Sequence, residues 1–235
     1  MNLLAIDTSN QTMGVAVLRE NQISGEIMTN IKKNHSIRLM PAVDELMREI
    51  SMTPEELNKI VVAKGPGSYT GVRIGLTTAK TMAWALNIPV VGVSSLETLT
   101  YQAQFFPGYI CPFFDARRGR VFAGIYQWDR NKPVPVFEEA NMPMEALLNK
   151  LVEEQKDVLF LSPDIGLHKE MIKEKLGVLA QIPEEVYHLA RPSHLALAGM
   201  TRKAEETHLL EPNYLRLAEA EANWLKQKKE NGQNG

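Results

Sequence analysis

The apolar positions in the first half of the chain fall into two alternating rhythms. Residues 3–7, 13–18 and 23–28 are short apolar runs parted by the polar turns Ser9-Asn10-Gln11 and Glu20-Asn21, which predicts three antiparallel strands. From Ser36 the period lengthens: Ile37, Met40, Val43, Met47 and Ile50, with Leu39 and Leu46 beside them, recur at three and four and predict a helix. Thr53-Pro54-Glu55-Glu56 then starts a short helix. A strand at 60–63, a glycine loop, a long helix over 71–86 and a strand at 88–93 complete a βββαβαβ unit.

The same order recurs downstream: strands at 109–114, 121–126 and 134–137, a helix at 144–152, a strand at 158–161 and a helix at 167–176. Ile6-Asp7-Thr8-Ser9 overlays Phe114-Asp115-Ala116-Arg117, two strands that both end in aspartate and turn into another strand. A duplication predicts two mixed α/β lobes, residues 1–104 and 105–192, with a cleft between them. Pro192-Ser193-His194 reads as a helix start with Ser193 as N-cap, running to about Glu206 in a returning C-terminal helical stretch, 193–218, that joins the first lobe. Residues 219–235 offer nothing to bury and are expected to fray.

Composition narrows the function classes. The 235 residues are 44% hydrophobic and 23% charged, ordinary for a soluble globular protein, and 26 basic against 28 acidic side chains leave a formal charge of −2. Unaided RNA binding by bulk charge is therefore disfavoured, although a local basic patch stays open. The lone Cys111 can make neither an internal disulfide nor a thiolate metal site, which fits the reducing cytosol. The opening residues, an acid after a few apolar ones, argue against a signal peptide or anchor, and no apolar run approaches the roughly 20 residues that span a bilayer. A cytoplasmic protein with no membrane role is expected.

Chemistry is sparse. Lys64-Gly65-Pro66-Gly67-Ser68-Tyr69-Thr70-Gly71 joins a strand to a helix N-terminus, where free N–H groups favour an anion. It lacks the Gly-Lys-Ser/Thr ending of a Walker loop, and a strained turn that needs glycine explains it as well as a ligand does. In the following helix Gly71, Gly75, Ala79 and Ala83 recur every fourth residue as a stripe without bulk. Two helical glycines cost about 1 kcal/mol each, a penalty offset by close packing. Packing on the protein's own sheet is one reading; a subunit interface, supported by Met40 and Met47 on the first helix, is the favoured one. Asp7-Thr8-Ser9, with Gly67, could hold a phosphate or a metal-bound water, or form an ordinary turn. His35 lacks a helical metal partner, since Ile31 and Leu39 stand four residues either side. Arg117, Arg118 and Arg120 could grip phosphate or carboxylates, against the plain alternative of a solvated turn.

Ala5-Ile6-Asp7-Thr8-Ser9, His35-Ser36 before Leu39-Met40-Pro41, the glycine segment 65–75, Gly92-Val93-Ser94-Ser95-Leu96, Asp115-Ala116-Arg117 and Glu211-Pro212-Asn213-Tyr214-Leu215-Arg216 together resemble the TsaB (YeaZ) family across nearly the whole chain. The resemblance implies α/β architecture of two duplicated ribonuclease-H-like lobes, in the actin, Hsp70 and sugar-kinase class. It also implies a non-catalytic paralogue that partners a TsaD-type transferase and a TsaE-type ATPase in forming threonylcarbamoyladenosine in tRNAs reading codons that begin with A. The metal and ATP or ADP would belong to those partners, with a nucleotide at a shared junction or against Asp7 and Thr8, and tRNA would be met through the complex. Two departures agree with a non-catalytic role: Ile31 replaces the first histidine of the TsaD His-x-x-x-His pair, and Leu161-Ser162-Pro163-Asp164-Ile165-Gly166 is no glycine-rich nucleotide loop. The implied docking face, for TsaD or for a homodimer, comprises Leu39, Met40, Val43, Met47, Gly71, Arg73, Ile74, Gly75, Thr78, Ala79 and Met82. An independent ATPase or small-molecule kinase of the same fold and a self-assembling structural protein are the competing classes.

Overall fold

The computed structural model describes residues 1–31 and 34–215. Its first sheet is built from β1 (Leu3–Asp7), β2 (Thr12–Arg19), β3 (Gln22–Asn30), β4 (Lys59–Ala63) and β5 (Val90–Val93), in the order β3-β2-β1-β4-β5. β1, β2 and β3 pair antiparallel, whereas β4 runs parallel to β1 and β5 parallel to β4. Helices α1 (His35–Glu49) and α2 (Tyr69–Leu86) lie on one face. Side-chain alternation explains why these strands read as nearly continuous apolar runs: Leu4, Ile6, Ile60 and Val62 face α1 and α2, while Leu3, Ala5, Val61 and Ala63 face the other way and are equally buried.

The second sheet repeats the plan. Its strands are β6 (Tyr109–Asp115), β7 (Arg120–Asp129), β8 (Lys132–Pro143), β9 (Val158–Leu161) and β10 (Ala180–Gln181), in the order β10-β9-β6-β7-β8. Helices α4 (Met144–Glu154) and α5 (Ile165–Leu176) cover one face through Leu147, Leu148, Leu151 and Ile172. β8 is longer than its apolar core at 134–137 suggests, and it accommodates Pro133, Pro135 and Pro143 because an edge strand needs only one row of ladder bonds.

The remaining faces are covered by exchange. α3 (Ser95–Thr100) follows β5 yet packs Leu96 and Leu99 against Phe114 and Phe122 of the second sheet. α6 (Pro192–Met200) follows the second lobe yet packs Leu195, Ala196 and Ala198 onto the first sheet. Each sheet therefore borrows a helix from the other half of the chain.

α6 corrects the expected helix in two ways. Arg191, not Ser193, is the N-cap, with Pro192 in the first turn; the Ser193 N–H is met instead by the Glu26 carboxylate of β3, 3.2 Å away. The helix also ends at Met200 rather than near Glu206 or 218. Lys59 of β4 donates its Nζ to the carbonyls of Met200 and Arg202 at 2.9 and 3.0 Å. Glu205 is drawn onto β5, its N–H donating to Val90 O and its carboxylate accepting from Gly92 N. An acid at the helix start and a lysine at its end complement the macrodipole, and an unpaired sheet edge overrides the helical propensity of residues 201–206. Residues 216–218 of the expected helix and the tail 219–235 lie outside the described residues.

Candidate functional site

The turn after β1 approaches the start of α2 so closely that backbone meets backbone. Thr8 Oγ1 donates to the Gly71 carbonyl at 2.7 Å, and Ser68 N–H donates to Ser9 O at 2.7 Å. A Cβ at Gly71 would lie 2.2 Å from Thr8 O, and one at Gly75 would lie 2.6 Å from Thr8 Oγ1. The small-residue stripe is thus explained by the lobe's own first strand. This corrects the interface reading for Gly71, Gly75 and Ala79, which are buried inward, and for Leu39, Val43 and Met47 of α1, which fill the same core.

Asp7, Thr8 and Ser9 are also turned inward. Ser9 N–H and Oγ both donate to Asp7 Oδ1, at 2.8 and 2.7 Å, completing an Asx-type turn. Burial raises the Asp7 carboxyl above its ordinary range, opposed by the two Ser9 hydrogen bonds and by nearby His35. Gly67 alone of the four expected ligand contacts lines the interlobe cleft. His35 sits in the first turn of α1 behind an Asn34 cap and donates Nε2–H to Asn10 O at 2.8 Å. Among the described residues no group of three or more His, Cys, Asp or Glu is placed to hold a metal ion, and no helix is long and apolar enough to cross a membrane.

The matching corner of the second lobe is likewise satisfied from within. Asp164 accepts from Asp115 N at 2.9 Å, its own N–H donates to Ser162 Oγ, and Ser162 N–H donates to His188 Nδ1. His168 donates to Asp115 Oδ1 at 3.2 Å. These bonds occupy the loop where a glycine-rich phosphate cradle would offer free N–H groups.

Among the described residues the surface carries exposed apolar side chains on α1 and α2, and its cavities include one between the lobes and one beside β8. Of the expected docking residues, Met40 and Arg73 are exposed and Ile74, Thr78 and Met82 half-buried. Ile37 of α1 and Trp84 of α2 join them at 70% and 72% exposure, and neither was singled out by the sequence pattern as a docking residue. Arg73 stacks over Tyr69, 4.0 Å from the ring centroid, and donates Nε–H to Tyr214 OH at 2.7 Å. Between the lobes lies a cleft of about 600 Å³ lined by Asn10, Gly67, Tyr69, Asp115, Arg117 and Tyr214. A second cavity of about 670 Å³ holds Glu139 of β8. Ser94 Oγ, Tyr126 OH and Asn213 Nδ2 all donate to that carboxylate, whose pKa burial raises against the Ser94 and Tyr126 bonds. Asn213 N–H also donates to Lys64 O at 2.7 Å, so this residue ties the glycine loop of one lobe to β8 of the other. No local pattern marks Glu139.

Two sheets of order 3-2-1-4-5, each with its own helices on one face and an exchanged helix on the other, define a two-lobed protein of the actin, Hsp70 and sugar-kinase class. Residues 20–224 match the family model for TsaD, tRNA N6-adenosine threonylcarbamoyltransferase. The chain is 51% identical over 229 residues to the tRNA threonylcarbamoyladenosine biosynthesis protein TsaB of Bacillus subtilis (strain 168), covering 97% of this chain and 100% of that one. It is 32% identical over 133 residues to TsaB of Escherichia coli (strain K12), 56% of this chain and 57% of that one. The solved structure of YeaZ from Pseudomonas aeruginosa superposes with a TM-score of 0.75 at 27% identity, covering 91% of this chain and 99% of that one. The chain belongs to the TsaB (YeaZ) family.

Proposed function

We propose that this protein is the non-catalytic cytoplasmic partner of a TsaD-type threonylcarbamoyl transferase, acting with a TsaE-type ATPase to form N6-threonylcarbamoyladenosine in tRNAs that read codons beginning with A. The observation that carries the reading is the closure of the inherited site. The Thr8 hydroxyl is spent on the Gly71 carbonyl, Asp7 is buried against Ser9, and the second-lobe loop satisfies its own polar groups. This closure supports a non-catalytic reading, because a hydroxyl and a carboxylate held in internal hydrogen bonds are not presented to a substrate or a metal-bound water.

The docking surface is the outward side of α1 and α2, centred on Ile37, Met40, Ile74 and Trp84. Exposed aromatic, methionine and isoleucine side chains suit a stable protein contact. Because TsaD and TsaB share a fold, the equivalent helices of the two chains would pack about a pseudo-twofold axis, and the same face would serve a homodimer. Metal and ATP or ADP would be held by the partners, with any nucleotide near this chain lying at the shared junction.

Reconstituted tRNA modification by the transferase and the ATPase, with and without this chain, tests the proposal. Modification should depend on the chain, while the chain alone should turn over no ATP; robust ATP hydrolysis by the lone protein would instead establish an independent enzyme.

A further inference from the structure

The C-terminal end of α2 is faced by a turn that the chain builds after α6. Lys80 of α2 donates Nζ to the carbonyls of His208 and Leu210 at 3.3 and 2.9 Å. Leu210 is buried in the first lobe's core, and the N–H groups of Leu209 and Leu210 both donate to Glu206 O. Glu205, one residue earlier, is fixed on β5. A pocket of about 430 Å³ opens between this turn and the helix end, lined by Trp84, Asn87, Ile88, Pro89, Glu206 and His208.

The pocket is negative and electron-rich. The C-terminus of α2 presents the negative end of the helix dipole, and its last turn holds no basic residue. Glu206 is exposed, and its carboxylate has no ion pair or side-chain hydrogen bond among the described residues. Trp84 is 72% exposed, and among the described residues no ring or cation stacks on its indole. Of the described lining residues only His208 could bring positive charge; Lys80, its ammonium taken up by the two carbonyls, is not among them. A guanidinium fits these groups together, because its plane stacks on an indole while its N–H fork pairs with a carboxylate. An ammonium would match the charge without the plane, and an anion would meet Glu206 and the helix end unfavourably.

We infer that the partner subunit seats an arginine in this pocket, stacked on Trp84 and paired with Glu206. The inference rests on the partner role proposed above and deepens it. Ile37, Met40 and Ile74 offer apolar contact that is indifferent to orientation, whereas a charged side chain in a pocket at one end of the face fixes the register. The arginine is foreign to this chain. A twofold homodimer would have to draw it from the same face, yet the arginines of α1 and α2 are engaged: Arg38 with Thr29, Arg48 with Asp44 and Arg73 with Tyr69 and Tyr214.

The test is isothermal titration calorimetry of this chain with the transferase over a range of salt, using Trp84→Leu, Glu206→Gln, Glu206→Lys and the double variant Trp84→Leu/Glu206→Gln. Both positions are exposed, so every variant should melt with the parent. Trp84→Leu keeps apolar bulk but removes the ring, and should weaken association about two- to fivefold. Glu206→Gln should weaken it by a similar factor and flatten the salt dependence, while Glu206→Lys should weaken it more than about tenfold. The double variant should lose less than the product of the single losses, because one guanidinium serves both groups. Unchanged affinity in Glu206→Lys would overturn the inference, and so would a loss confined to Trp84→Leu, which marks plain apolar contact. A homodimer weakened by Glu206→Lys beside an unaffected mixed complex would assign the pocket to a second copy and equally overturn it. If the parent chain forms no mixed complex, the partner role fails, and the lone chain titrated with N-acetyl-arginine amide decides the pocket. A saturable shift of the Trp84 indole N–H resonance that Glu206→Lys abolishes would sustain guanidinium recognition; an unmoved resonance would refute it.

Discussion

Thr8 donates its hydroxyl to the Gly71 carbonyl across a gap too narrow for a Cβ, and this contact turns the most conspicuous feature of the long helix from a docking surface into a core seam. The outward face of the helices, rather than the glycine stripe, is then what a partner can reach.

Gly75→Leu should therefore break the first lobe rather than only its partnership. A side chain there begins 2.6 Å from Thr8 Oγ1, and the resulting overpacking should cost about 3 kcal/mol or more. Met40→Asp, at an exposed position, should change stability by less than about 1 kcal/mol and abolish pairing. Urea melts and light scattering on both variants check the contrast; a folded, soluble Gly75→Leu protein would contradict the seam.

Asp7→Asn should leave tRNA modification by the reconstituted system intact and make the chain more stable at pH 7. Burial raises the folded-state pKa of Asp7 from 3.8, so ionisation opposes folding as pH climbs above that value. The advantage of asparagine should shrink towards pH 4 and grow towards neutrality. Loss of modification by a well-folded variant would return Asp7 to the chemistry.

Glu26→Gln should weaken the seating of α6 by about 1 kcal/mol at pH 7, as a lost helix cap does. Burial works against the Glu26 carboxylate, but hydrogen bonds from Ser193 and Arg191 outweigh it and lower its pKa below 4.5. Its contribution is present above that value and lost as pH falls through the lowered folded-state pKa. Thermal melts of parent and variant should converge in acid; a gap that widens there would reverse the assignment.

Glu139→Ala should cost about 2–4 kcal/mol, because Ser94, Tyr126 and Asn213 would all lose a buried acceptor. Asn213→Ala should cost less and loosen the lobes, read as an increased radius of gyration in solution scattering. Equal, negligible effects would remove the Asn213 bridge between the lobes.

The sheets were legible because period-two burial on both faces leaves long apolar runs, and the duplication was legible because Asp7 and Asp115 end equivalent strands. α3 escaped notice because six residues are too few to display a helical period. The direction of the Gly71–Ala83 stripe was not readable, since an absence of bulk admits any close backbone, own or foreign. Glu139 and Glu26 escaped for another reason: Ser94 and Asn213 stand 45 and 74 residues from Glu139, and Ser193 stands 167 from Glu26, while Tyr126 reaches Glu139 only across the β7–β8 ladder, so no local spacing announces either acid. Of the expected ligand contacts, only Gly67 reaches the cleft, because hydroxyls in a tight turn bond to the nearest backbone as readily as to a phosphate.

The most direct test of the partner role is light-scattering chromatography of this protein alone and mixed with the TsaD-type transferase from the same cell at several ratios. A monomer or homodimer that converts to a one-to-one mixed complex, and fails to do so when Met40 is changed to aspartate, is the predicted result. Homo-oligomers that persist with no mixed species, even with nucleotide and the TsaE-type ATPase added, would contradict it.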